Sequence, residues 1–236
     1  MEVKLNALCV RTIDYKDNDR LLSLCSVEGG KILAKIRGCK SPKSKLRFAA
    51  SPFCFGEYIL SSSPGGHYTV TGCSAYDCFS ALTADISKYY AGFLVLEVTE
   101  KLSSDDVEST AGLVLKGVEC LKELCYGDDE RPEKTLINYL KNVLALSGYA
   151  LNTDFCAVSG EPLSGNVAFD LVSGGFVNGA YKTVDNVSVS AAAFAAIKNP
   201  CEASEAEASA AFFAVARILS RVSGVRLSNL DEFMRL

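Results

Sequence analysis

Between Lys31 and Arg47 the chain carries seven basic side chains (Lys31, Lys35, Arg37, Lys40, Lys43, Lys45 and Arg47) and no acidic one. Ammonium and guanidinium groups in such a run suit a polyanion. They displace condensed counterions from phosphates without reading base sequence. Residues 1–50 hold eleven Lys/Arg against five Asp/Glu, a net of +6, while residues 51–236 stand at −10 and the whole chain at −4. A split of this size predicts one basic surface facing a polyanion, with an acidic remainder that limits non-specific adhesion. The competing reading is a solvated loop that serves solubility alone. Arg11 and Arg20 join the candidate set, but Asp14, Asp17 and Asp19 lie close by, so a structural ion pair competes with phosphate contact there. Lys31 is the weakest member, because it directly follows a turn. Tyr15 and Phe48 are candidate stacking partners for bases, with burial in the core as the alternative.

Bond-making chemistry finds no comparable cluster. The single histidine, His67, sits in the turn Pro64-Gly65-Gly66-His67 with no nucleophile motif to accompany it. Gly30-Lys31 looks like the end of a phosphate-binding loop, yet position 25 is Cys where glycine is needed and position 32 is Ile where Ser or Thr is needed. The acidic pairs Asp105-Asp106 and Asp128-Asp129 read as helix caps and solvated turns. None of the ten cysteines forms a C-x-x-C pair. Their scatter through apolar segments suits small buried hydrophobes in a reducing compartment. The expectation is therefore a binding protein, not an enzyme, with no metal and no cofactor. The opening Met1-Glu2-Val3-Lys4 lacks the layout of a signal peptide, and no stretch is long and apolar enough to span a bilayer. These features set the expectation of a cytoplasmic protein with no membrane partner.

The basic residues must be positioned by an all-β amino-terminal part. Alternation and turn signals predict strands at 3–14, 20–27, 31–37, 54–60 and 68–75, with Glu28-Gly29-Gly30 as a tight turn and 38–45 as a loop around Pro42. Five short strands within so few residues suit a small closed barrel, since closure removes exposed edges. Helical spacing then takes over at 80–102, 105–125 and 132–147, with Gly148 as a C-cap. Residues 152–186, rich in Gly, Ser and Asn, read as a small turn-rich β insert. Helices return at 189–198 and 202–223. The fold class is α+β: a five-stranded OB-fold barrel over 1–79, then an α-helical bundle over 80–236 that carries the insert. An OB barrel with a basic loop is a common oligonucleotide-binding design.

Particular residues go further. Arg11-Thr12-Ile13-Asp14-Tyr15, Asp19-Arg20-Leu21-Leu22, Glu28-Gly29-Gly30-Lys31 and the run from Lys35 to Leu46 resemble the N-terminal domain of the bacterial RecO family of DNA repair proteins. Arg221 to Ser228 resembles that family's closing segment. The resemblance implies a recombination mediator that binds single- and double-stranded DNA, anneals complementary strands and helps load RecA on gapped DNA. It also implies RecR and the C-terminal tail of single-strand-binding protein as partners. The alternative is a protein-interaction scaffold whose basic loop docks an acidic peptide without itself binding DNA. One departure stands out. Many family members carry a four-cysteine zinc site in the insert, and its positions fall here on Cys156, Ser159, Asn178 and Tyr181. One thiolate cannot hold structural zinc, so the insert is expected to be a degenerate, zinc-ribbon-like relic with Cys156 as an ordinary core thiol.

Overall fold

The computed structural model describes residues 2–63, 65–128, 131–233 and 235. Pro64 of the His67 turn and Asp129 of the second acidic pair lie outside the described residues. The chain divides into two compact units, the first ending at Gly127 and the second beginning at Asp128.

The first unit starts with five strands: β1 (Glu2–Tyr15), β2 (Asp19–Ser26), β3 (Gly30–Ile36), β4 (Phe55–Ser62) and β5 (Tyr68–Asp77). They close in the order β1-β2-β3-β5-β4, every pairing antiparallel except β3 with β5. That is the OB topology. The fourteen residues of β1 let it pair with β4 through its first half and with β2 through its second, around an irregularity between Cys9 and Arg11. The middle of β1 is buried on both faces, as its unbroken apolar run predicts. Ala7 and Cys9 point into the barrel, while Leu8 lies beneath a helix at Gly117.

Alternation places Leu22, Leu24, Ile32, Ala34, Ile36, Tyr58, Leu60 and Val70 inside the barrel. Each fully buried Leu or Ile side chain contributes about 1.5–3 kcal/mol. Tyr58 is wholly buried and satisfies its hydroxyl by donating to the Ala49 carbonyl at 3.0 Å. The segment from Gly38 to Cys54 seals the barrel. It is a succession of turns in which Ser41, Ser44, Arg47 and Ala50 each donate an N–H to the carbonyl three residues back. Cys39, Leu46, Ala49, Ala50 and Cys54 face the core from it.

Two helices complete the first unit, α1 (Ile86–Leu102) and α2 (Val107–Tyr126). The helix expected over 80–102 is split: residues 80–84 form a 3-10 turn, and Asp85 caps α1 by accepting the Lys88 N–H at 2.9 Å. Asp106 caps α2 in the same way through Ser109, as the acidic pair predicts.

The second unit holds α3 (Pro132–Leu146), a small antiparallel sheet, α4 (Ala191–Lys198), α5 (Glu205–Ser223) and α6 (Ser228–Phe233). The sheet comprises β6 (Val167–Asp170), β7 (Gly175–Asn178) and β8 (Val187–Val189) in the order β7-β6-β8. β8 falls just past the expected insert, and Val189 belongs to it, not to a helix. Ser190 is the N-cap of α4 and accepts the Ala193 N–H. α5 begins at Glu205, later than the expected start at 202, because Ser204 and Glu207 form a capping box; Gly224, at φ 68°, ends it.

No cysteine is in a disulfide; six are buried, Cys73, Cys78 and Cys125 are half-buried, and Cys201 is exposed. Cys73 is on β5 and Cys78 just beyond it, and both pack on the barrel core. Burial pushes the Cys78 thiol up to about 12. Among the described residues, no helix is long and apolar enough to cross a membrane.

Candidate nucleic-acid interface

The structure sorts the nine candidate cations into two groups. Arg37, Lys43, Lys45 and Arg47 are exposed, and among the described residues none of them lies within ion-pair distance of a carboxylate. All four are carried by the end of β3 and the segment that seals the barrel. The inward anchors of that segment, Cys39, Leu46 and Ala49, leave its basic side chains no direction but outward.

The other five are engaged. On α1, Glu100 holds two of them: Arg11 donates from Nε to Oε1 at 2.8 Å, and Lys31 donates from Nζ to the Glu100 carbonyl at 3.0 Å, with Oε1 3.8 Å away. Asp14 bridges Arg20 at 3.0 Å and Lys40 at 2.9 Å. Asp19 holds Lys35 at 2.8 Å and also accepts the Gly38 N–H. Arg20 stands opposite Ile36 in register, in line with inward-facing Leu22, and donates to the Ala50 carbonyl at 2.8 Å. It thus ties the sealing segment to the barrel end. The hydrogen bonds from Lys40 and then Arg20 hold the Asp14 carboxyl below its ordinary value, and those from Lys35 and then Gly38 do the same for Asp19. An ion pair in solvent contributes little to stability. Here its larger effect is to fix the loop and to cancel the charge its cation would otherwise offer.

The outward face of β1, β2 and β3 adds apolar surface among these cations. Register puts Ile13, Leu21 and Lys35 in one row and Arg11, Ser23 and Leu33 in the next. Ile13, Tyr15 and Leu33 stay exposed at 45%, 38% and 60%. The Tyr15 ring carries Lys35 Nζ at 4.9 Å and Lys16 Nζ at 5.5 Å from its centroid. Tyr15 is therefore a surface residue. Leu33 and Ile13 were not singled out from the sequence, although a leucine alternating with Lys31, Lys35 and Arg37 on the outer face of β3 is visible there.

The insert holds no comparable cluster. Cys156 is buried, and its thiol is drawn down to about 7: burial opposes the shift, but hydrogen bonds from Ser159 and from the Asn178 and Val158 backbones outweigh it. It is a buried thiol that also accepts the Ser159 N–H. Asn178 accepts the Ser164 N–H and donates to the Pro162 carbonyl, which joins β7 to the preceding loop. Tyr181 is exposed. Among the described residues, no group of three or more His, Cys, Asp or Glu side chains stands where it could hold a metal ion.

A closed five-stranded barrel of this strand order, sealed by a cationic loop and followed by helices and a small sheet, defines an OB-fold protein. Residues 1–79 match the family model described as Recombination protein O N terminal, and residues 83–224 match that described as Recombination protein O C terminal. The chain belongs to the RecO family. Among its relatives, the DNA repair protein RecO of Chlorobium limicola is 28% identical over 167 residues, which is 70% of this chain and 62% of the relative. That of Clostridium novyi is 35% identical over 106 residues, 43% of this chain and 41% of the relative. That of Bacillus cereus is 28% identical over 175 residues, 74% of this chain and 68% of the relative. In the first two, the matched stretch spans less than two thirds of the relative's length.

Proposed function

We propose that the chain is a DNA-binding recombination mediator in recombinational DNA repair, and that its barrel domain, residues 1–79, is the nucleic-acid-binding part. It grips the sugar–phosphate backbone of single- and double-stranded DNA, anneals complementary strands and helps load RecA on gapped DNA. RecR and the tail of single-strand-binding protein are its protein partners. The role is non-enzymatic: it brings two polyanions together and makes or breaks no bond. The observation that carries this reading is the group of four exposed cations, Arg37, Lys43, Lys45 and Arg47, which no carboxylate engages among the described residues and which lie at the end of β3 and on the segment that seals an OB barrel. Such a group lowers the repulsion between strands without fixing on base sequence, which is what annealing requires. Arg11, Arg20, Lys31, Lys35 and Lys40 remain in the candidate set as secondary contacts, each available only by giving up a carboxylate.

The scaffold reading has one observation of its own. In the second unit a concavity of about 380 Å³ is lined by Arg217, Arg221 and Arg226 beside Val225, Leu227 and Leu230. Cations next to apolar side chains suit an acidic peptide with an apolar end. One titration separates the two readings. The protein is mixed with a labelled single-stranded oligonucleotide, and the acidic tail peptide is then added. DNA binding and strand annealing that survive saturating peptide support a mediator with separate sites. Peptide binding with no DNA binding at any salt supports the scaffold and overturns the mediator.

A further inference from the structure

The first unit holds a cavity of about 340 Å³ whose lining includes the aromatic residues Phe48, Phe53, Phe79 and Tyr89 beside Pro52 and Cys78. We propose that this cavity receives one unpaired nucleobase of a single DNA strand whose phosphates run over Lys43, Lys45 and Arg47. The proposal rests on the DNA-binding reading above and adds to it a site for a base.

The rings are fixed before any ligand arrives. Phe53 lies 5.8 Å from Tyr89 and 4.9 Å, edge to face, from Phe93, and Tyr89 lies 4.9 Å from Phe93. Phe53 and Phe79 are both buried, and both hold a left-handed backbone, at φ 72° and 46°. Among the described residues only Lys16 shares that conformation without being glycine. A bulky residue adopts it only where its surroundings enforce it, and such residues gather at ligand clamps. The enforcement is visible. Phe53 donates its N–H to the Cys9 carbonyl at 3.0 Å, and Phe79 donates to Asp77 Oδ1 at 2.8 Å. On α1, Gly92 makes room for Phe53: a Cβ there would lie 2.8 Å from the ring.

Three properties select the occupant. The volume is at the small end for ligand pockets and suits a single ring system. Phe48 and Tyr89 present accessible ring surface, buried Phe53 and Phe79 back them, and no acidic side chain lines the cavity. Ser51 and Ser80 lie at the edge with hydroxyls that have no protein partner among the described residues, as a base edge would need. The cavity also adjoins the phosphate grip. Phe48, 38% exposed, follows Arg47 directly, and the Arg47 carbonyl accepts the Ala50 N–H that closes their shared turn. A base held in a duplex cannot enter. The cavity therefore favours single strands over duplex, on a surface that otherwise reads only charge.

The test uses the full chain, a thymine oligonucleotide, the same backbone with abasic sites throughout, and a duplex. The intact strand should bind at least about five-fold more tightly than the abasic one, the scale of one stacked base. Phe48→Ala should weaken the intact strand by a similar factor and bring its affinity close to that of the abasic strand, and an undiminished difference between the two strands would overturn the base site. Thr83→Trp, placed at the exposed rim to fill the cavity, should abolish the fluorescence change of a 2-aminopurine strand on binding. Equal affinity for the abasic and intact strands, with DNA binding retained, overturns the base site and leaves the mediator reading standing. Absence of binding to every DNA overturns that reading, and the base site with it.

Discussion

Replacing Lys43, Lys45 and Arg47 together by alanine should remove most of the salt dependence of single-strand binding. Each phosphate neutralised on a single strand contributes about −0.7 to the slope of log affinity against log salt. Arg11, Lys31, Arg20, Lys40 and Lys35 share three carboxylates, those of Glu100, Asp14 and Asp19, and each is held away from a phosphate by one of them, so only Arg37, Lys43, Lys45 and Arg47 are counted as contacts. The expected slope is about −2.8, a loss of about 50-fold in affinity between 50 and 200 mM salt. The triple variant keeps Arg37 alone, with a slope of about −0.7 and a loss of about 2.6-fold over the same range. Were all nine candidates in contact, the slope would approach about −6.3 and the loss about 6,000-fold. Fluorescence anisotropy with a labelled oligonucleotide at four or five salt concentrations resolves these cases. Asp14→Asn provides the converse check. It releases Lys40, while Arg20 stays bonded to Ala50, so the slope should steepen by about 0.7. A triple variant with the wild-type slope would refute the assignment. A wild-type slope near the nine-contact value would show that the ion pairs do not withhold their cations.

Two further outcomes concern stability. Asp14 and Asp19 have carboxyls held below their ordinary 3.8, so the unfolded chain binds protons more readily than the folded one. Their contribution is fully present above pH 3.8 and is lost as the pH falls through the lowered folded values. Urea midpoints should therefore drop below about pH 4, and less steeply in an Asp14→Asn/Asp19→Asn double variant. Gly56 on β4 meets the Ser74 carbonyl and would set a Cβ 2.8 Å from Ala75 Cα, a backbone clash that no rotamer relieves. Gly56→Ala should cost about 1–3 kcal/mol in urea unfolding, and a neutral result would refute that close approach.

The barrel was readable because its signals are local. Ile32, Ala34 and Ile36 alternate with Lys31, Leu33 and Lys35, and Gly30 takes the positive φ that the turn into β3 needs. The helix starts at Asp85 and at Ser204 with Glu207 are equally local signals, but the helices expected from 80 and from 202 begin before them. The fate of the cations was not readable. Arg11 meets a glutamate 89 residues away, and Lys31 bonds to the same residue, so a one-dimensional count of charge cannot say which basic groups stay free. The aromatic cavity was hidden for a similar reason. Phe48 and Phe53 precede β4, Phe79 follows β5, and Tyr89 is on α1, so only the closed fold assembles them.

The segment from Gly38 to Cys54 is at once the lid of the hydrophobic interior and the bearer of Lys43, Lys45 and Arg47, three of the four candidate cations that no carboxylate engages among the described residues. Its conformational freedom is given up when the barrel folds, not when a strand arrives, so encounter need not wait for a loop to order. The same arrangement couples load to integrity: force applied through the strand at Lys43 or Arg47 bears directly on Leu46 and Ala49, and loosening those anchors would weaken the grip even with every charge left in place.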